Sequence, residues 1–332
     1  MRSSRIAAAA AVALATIAWS GPAVAQQQVQ GFSVERFYPS APGAGWFVMD
    51  QVDEHGTLGG AMSFTLDYAH DPLRVRTTDG SQRLAVVSDL ALADFGFAVT
   101  YDRFRLYLNL DMPLAIEGQS GTVGAYAFTA PRVDPASNPD TLSDARIGLD
   151  ARIVGDPGGA FRLGAGAQLY VPSGNTCYPD PTNVNRCDYD TDGTYRAMGR
   201  LLFAGDVGAF TYAGQIGLHV RPRDDGGVPG GPQGSELLFG AAAGVRASAF
   251  ATGLTSFVVG PEVWGATALH SPFATTATAL EGLLTGRLEN TAEDGPQLRL
   301  KLGPGVGLDP HFGAPAWRVV FGVEVVDRVR PH

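Results

Sequence analysis

Beyond its first 25 residues the chain has no run of some twenty apolar residues, so no transmembrane helix is expected. Lysine occurs once, at Lys301, and no basic run is present; acids outnumber bases 33 to 24. That balance argues against nucleic acid as a partner. Histidines (His55, His70, His219, His270, His311, His332) are dispersed, and no H-E-x-x-H pattern occurs. Gly118-Gln119-Ser120-Gly121 is not a nucleophile elbow. No catalytic constellation is therefore expected, no enzyme and no cofactor. Helix signals are weak, and glycine, at 43 residues, is abundant.

Only two cysteines occur, Cys177 and Cys187. In an exported protein such a pair points to a disulfide rather than a redox site. Export is expected from the start of the chain. Arg2 and Arg5 precede an apolar run from Ile6 to Trp19, and Ala23-Val24-Ala25 has the form of a cleavage site. Removing residues 1–25 takes away two Arg and no acid, leaving 22 bases against 33 acids, a net −11.

What the mature chain has in quantity is alternation. Phe104, Leu106, Leu108 and Leu110 fall on one face of a strand, and Arg105, Tyr107, Asn109 and Asp111 on the other. Met62–Tyr68 and Leu84–Tyr101 repeat the pattern, as do 143–154, 160–171, 194–205, 208–221, 235–249, 254–266, 277–288, 296–308 and 316–327. Eleven or twelve tilted residues span about 25 Å, the height of a lipid-facing apolar band. Short connections at 102–103, 155–159, 206–207 and 250–253 alternate with mostly longer ones at 71–82, 116–142, 172–193, 222–234 and 267–276.

The expectation is an all-β, transmembrane, antiparallel up-and-down β-barrel of about 12 strands in the outer membrane, its short turns in the periplasm. An even strand number places both termini there as well. The expected domains are a cleaved signal peptide (1–25), an N-terminal periplasmic lead-in (26–56), the barrel (57–328) and a short tail (329–332). Pro261 and Pro304 suggest bulges or strand ends, and Asp89 falls on an outward face, tolerable where a strand projects beyond lipid.

Inward positions carry the chemistry. Arg105, Arg146, Arg152, Arg162, Arg196, Arg200, Arg246, Arg287, Arg299, Lys301 and Arg318 fall on polar faces, together with Asp67, Asp94, Asp111, Asp150, Glu262, Glu281 and Glu324. Two readings stand side by side. These groups form a paired network that fills the lumen, since a buried charge is costly without a partner. Alternatively, an excess of Arg lines a wet pore that favours small anionic solutes. His219, inward and near Arg221, is the first histidine to inspect. Asp188, Asp190 and Asp192 before Gly193 form a weak candidate for a hard cation, against a solvated acidic loop.

Glu35-Arg36-Phe37 with Pro39-Ser40, then Gly45-Trp46-Phe47 and Asp50, lead into Leu66-Asp67-Tyr68-Ala69-His70-Asp71-Pro72-Leu73. Together these segments resemble the opening of the barrel in OmpA-family outer-membrane proteins of myxobacteria and related Gram-negative bacteria. Leu108–Leu114, Asp144–Leu149 and Gly313-Ala314-Pro315 extend the similarity over most of the mature chain. In that family a peptidoglycan-binding domain commonly follows the barrel; this sequence ends at His332, and a barrel without that domain is expected. The implied partners are the lipid bilayer and the barrel-assembly machinery. The implied roles are envelope structure or porin-like passage of small solutes, with surface adhesion through external loops, or a barrel plugged by its own salt bridges, as alternatives.

Overall fold

In the computed structural model the chain closes into a barrel of twelve antiparallel strands. The structure describes residues 27–29, 31–56, 58–131, 143–172, 177–179, 185–187, 189–223, 234–248, 255–290, 295–309 and 313–328; the expected signal peptide and tail lie outside them. The strands are β1 (Gly59–Arg76), β2 (Arg83–Tyr101), β3 (Phe104–Glu117), β4 (Ala145–Val154), β5 (Arg162–Val171) and β6 (Arg196–Val207). They continue as β7 (Phe210–Val220), β8 (Glu236–Ser248), β9 (Thr255–Ala268), β10 (Thr278–Asn290), β11 (Gln297–Asp309) and β12 (Trp317–Arg328). Each pairs with its neighbour in chain order, and β12 closes on β1 from Trp317↔His70 to Arg328↔Gly59.

Alternation sets the two surfaces. In β3, Phe104, Leu106 and Leu110 are exposed outward, while Arg105, Tyr107 and Asn109 are buried inside. Leu149, Leu201, Ile216, Leu300 and Phe321 continue the exposed apolar exterior around the wall. So much exposed apolar surface is a liability in water and the requirement in lipid. Among the described residues no helix is long and apolar enough to cross a membrane.

Two local features differ from the expectations. The 71–82 connection is largely strand, because β1 and β2 run on for 18 and 19 residues past a bulge between His70 and Leu73. Asp71 takes a positive φ of 54° there, and the bulge accommodates Pro72, which has no N–H for a ladder. Asp89 lies outward beside this bulge, where it accepts hydrogen bonds from the Tyr68 hydroxyl and from His70 Nδ1 at 3.0 Å. Neither Pro261 nor Pro304 makes a register shift; Pro304 stays opposite Val319, and the shift in β10–β11 falls at Leu280/Glu281.

The largest difference is the segment ahead of β1. Residues 31–56 do not lie outside the barrel as a lead-in; they fill its lumen as a strap. At one end Gln27–Gln28 pair in parallel with Tyr126–Ala127, within the long β3–β4 connection. The Val34 N–H then donates to the Tyr189 carbonyl at 2.9 Å, in the long β5–β6 connection. At the other end the Asp102 N–H, in the short β2–β3 turn, donates to the Gly56 carbonyl at 2.8 Å. The strap thus runs the length of the lumen, from the long-connection end to the short-turn end. The even strand count does put Gly59 and Arg328 side by side. Yet the first described residues, Gln27–Gln28, return to the opposite end, so the two ends of the described chain do not lie together.

Packing explains why the strap stays inside. Phe37, Trp46, Phe47, Val48 and Met49 are buried against Leu202, Val258, Trp264, Leu283 and Val320 of the wall. Midway the strap folds on itself, with the Ser40 N–H donating to the Phe47 carbonyl at 2.7 Å and Gln51 N–H to Ala44 O at 3.0 Å. Gly45 makes this turn possible. Its φ is +99°, and a Cβ there would meet Gln51 Oε1 at 2.4 Å and Arg287 Nη1 at 2.7 Å.

Candidate functional site

The inward charges meet the strap in three tiers. At the short-turn end, Arg105 pairs with Asp50, with Glu54 at 3.1 Å and with wall residue Asp150 at 2.7 Å. Asp150 also receives Arg200 at 3.0 Å, whose guanidinium reaches the Tyr107 hydroxyl at 3.1 Å. Arg162 bonds Asp206 at 2.7 Å and the Gln51 carbonyl at 2.9 Å, while half-buried Arg152 donates to the Glu54 carbonyl at 3.1 Å. Half-buried Arg246 lies 3.5 Å from Asp206.

In the middle tier, fully buried Glu262 accepts the N–H groups of Phe47 and Val48, each at 2.9 Å, and the Thr285 hydroxyl. Lys301 bonds Glu324 at 2.6 Å and the Trp46 carbonyl at 3.2 Å, and stands 4.9 Å over the Phe47 ring. Arg299 donates to the Gly43 carbonyl at 3.0 Å and lies 3.4 Å from Glu324. Arg287 pairs with Glu289 and faces the Trp46 ring at 5.6 Å.

Toward the long-connection end, Arg318 gathers Glu35 at 2.8 Å, Asp67, and Glu281 at 3.0 Å. Arg146 donates to the Pro39 carbonyl at 2.5 Å, and Arg196 bonds Asp144 at 2.9 Å. Asp94 and half-buried Asp111 are direct cross-strand partners, and Asn109 donates to both oxygens of Asp94 at 2.9 Å. A cavity of about 30 Å³ remains here, lined by Glu35, Tyr38, Asp67, Asp94, Asp111 and Asp190 among others. That is room for about two waters.

His219 is fully buried, its Nδ1 3.5 Å from Glu236 and its ring 5.3 Å from Tyr170, with Tyr38 of the strap at 5.6 Å. It is a packing residue at the top of the lumen. The described carboxylates of the Asp-rich stretch are engaged by protein groups. Asp192 takes Arg221 at 2.7 Å on both oxygens and the Ser33 N–H at 2.9 Å, and Asp190 accepts from Ser143 at 3.1 Å. Among the described residues no group of His, Cys, Asp and Glu is placed to hold a metal; Asp188 lies outside them. Cys177 and Cys187 oppose each other in the hairpin of 177–179 with 185–187. That backbone placement is the one a disulfide across the hairpin needs. Their side chains lie outside the described residues.

Sequence reasoning assigned no ion-pair role to the strap's own Glu35, Asp50 and Glu54, or to the anchors Asp192, Arg221 and Glu236. A signal existed in the strap: charges set among Phe37, Trp46, Phe47 and Met49, in a stretch with no alternation.

The two loop carboxylates respond to pH in opposite senses. Burial alone would raise Asp192, but the guanidiniums of Arg221 and Arg196 outweigh it and hold its carboxyl well below the usual range. Burial pushes Asp190 up to about 6, only partly offset by the Ser143 hydroxyl, and its Oδ1 has no hydrogen-bond partner among the described residues. The folded protein therefore favours neutral Asp190. That contribution is full below about pH 4 and is lost as pH rises through about 6. Asp190→Asn is expected to unfold at a higher temperature than the parent at pH 7.5, the gap closing below about pH 4. Thermal unfolding in detergent at several pH values checks this; equal midpoints at pH 7.5 would refute it.

No family model matches the chain, and no curated protein matches it. Several solved structures share its general form. An outer membrane channel from Pseudomonas putida F1 is 14% identical with a TM-score of 0.48, covering 82% of this chain and 97% of that one. The NanC porin is 5% identical with a TM-score of 0.44, covering 81% of this chain and 100% of that one. The CymD monoaromatic hydrocarbon channel is 10% identical with a TM-score of 0.41, covering 85% of this chain and 91% of that one.

Proposed function

We propose that this chain is an outer-membrane barrel whose porin-like lumen is held closed by its own N-terminal segment. The observation that carries this reading is the strap, which runs from one end of the lumen to the other and engages wall charges in all three tiers. A lumen in which guanidiniums are bound by carboxylates and by strap carbonyls has few free charges left to guide a solute. A disulfide between Cys177 and Cys187 would pin the β5–β6 connection whose Tyr189 and Asp192 hold the strap's upper end. Small anionic solutes are the cargo class if the lumen opens, because the wall is rich in Arg. The intact protein in planar bilayers is expected to leave the current at baseline. Stable open-channel steps from the intact protein would overturn the closed-lumen reading.

A further inference from the structure

A closed barrel of twelve strands has no lateral opening. A chain that crosses its lumen therefore passes in at one end and out at the other. Here Arg328 is paired with Gly59 at the short-turn end, whereas Gln27–Gln28 are paired with Tyr126–Ala127 at the long-connection end. In an outer membrane the first end faces the periplasm and the second the exterior. A protein exported to the periplasm thus has Gln27–Gln28 on the far side of the membrane that its barrel spans.

Beside the side-chain pairs and apolar packing described above, the wall holds the strap by its backbone. Arg146, Arg162 and Arg299 donate to the carbonyls of Pro39, Gln51 and Gly43 at 2.5, 2.9 and 3.0 Å. Glu262 takes the successive N–H groups of Phe47 and Val48 at 2.9 Å. Backbone donors and acceptors are common to all sequences, so these contacts suit a polypeptide as a class. Two features specific to this sequence then stop the chain in place. One is the turn at Gly45, which lodges Trp46 and Phe47 among wall side chains. The other is the three-stranded sheet of Gln27–Gln28 with Tyr126–Phe128 and Gly121–Val123, which latches the emerging end.

We propose that the lumen carries polypeptide. During assembly the N-terminal segment occupies it as an unfolded chain held by its backbone, and its Gln27–Gln28 end is presented on the face of the long connections. The inference rests on the outer-membrane reading above.

The test places one epitope in the full chain, in turn, between Gln27 and Gln28, beside Gly80 in the β1–β2 turn, and beside Gly208 in the β6–β7 turn. Antibody is expected to bind intact cells carrying the first two equally, and to reach the Gly208 epitope only after the outer membrane is permeabilised. An N-terminal epitope silent on intact cells that display the Gly80 epitope would overturn the proposal. So would the reverse orientation, with only Gly208 displayed. If the insertion blocks assembly, Gln28→Cys in a background of Cys177→Ser and Cys187→Ser, probed with a membrane-impermeant maleimide, gives the same decision. Recovery of all three epitope variants in the soluble periplasmic fraction would instead sink the outer-membrane reading beneath it.

Discussion

Arg318→Met is expected to destabilise the barrel by about 3–5 kcal/mol, the cost of leaving buried charges without their partner. Arg318 is 1% exposed and sits among three carboxylates. Glu35 comes from the strap at 2.8 Å, Asp67 from β1, and Glu281 from β10 at 3.0 Å. Its guanidinium also lies 5.0 Å over the Phe37 ring of the strap. Methionine keeps much of the stem's volume, so the loss is chiefly electrostatic. The three carboxylates must then take up protons or repel one another in a site with little water. The combined variant Arg318→Met, Glu35→Gln, Asp67→Asn, Glu281→Gln is expected to recover most of the loss, because neutral groups of similar shape remove the repulsion. Denaturant unfolding in detergent measures both. A single variant within about 1 kcal/mol of the parent would show that the cluster carries no net weight, as exposed ion pairs often do not.

The wall was legible because a strand's period is fixed by geometry and lipid tolerates no polar side chain on one face. Predicted 277–288, 296–308 and 316–327 fall within two residues of Thr278–Asn290, Gln297–Asp309 and Trp317–Arg328. The expectation failed where a local signal competed with the period. His70-Asp71-Pro72 carries turn-type residues, and it is a bulge inside β1. Proline there is compatible with a strand because a bulge leaves residues outside the ladder.

The strap was not legible, for a physical reason. Its conformation is irregular, set by contacts with side chains on widely spaced strands, and no periodicity encodes such contacts. Glu262 lies 215 positions from Phe47, and Glu35 lies 283 from Arg318. The inward charges were legible one by one, whereas their partners were not. Alternation says that Arg105 and Arg299 point inside; it is silent on whether a carboxylate, a carbonyl or water receives them. The surplus of Arg on polar faces was the available hint, since buried cations imply acceptors somewhere. Here many of those acceptors are backbone carbonyls of a segment that reads as a loose lead-in.

Excising residues 31–54 is expected to turn a silent barrel into a conducting one with a preference for anions. The segment carries Glu35, Asp50, Asp53 and Glu54 against Arg36, a net −3, so its removal leaves the lumen three units more positive. Arg105 keeps Asp150 but loses Asp50 and Glu54. Arg146 and Arg299 lose their carbonyls at Pro39 and Gly43 and face the opened space. Water entering there solvates these cations, and a ring of hydrated guanidiniums favours anions over cations. The apolar wall at Leu202, Val258 and Val320, now uncovered, narrows one side of the path and favours small solutes. Single-channel current under a salt gradient gives both conductance and the sign of selectivity. If excision prevents folding, a protease site placed after His55 allows the assembled barrel to be cut and the strap washed out in mild denaturant. A folded, strap-free barrel that stays silent would mean that the wall closes the lumen by itself. Cation preference would mean that Asp67, Asp94 and Asp111, rather than the guanidiniums, set the field along the path.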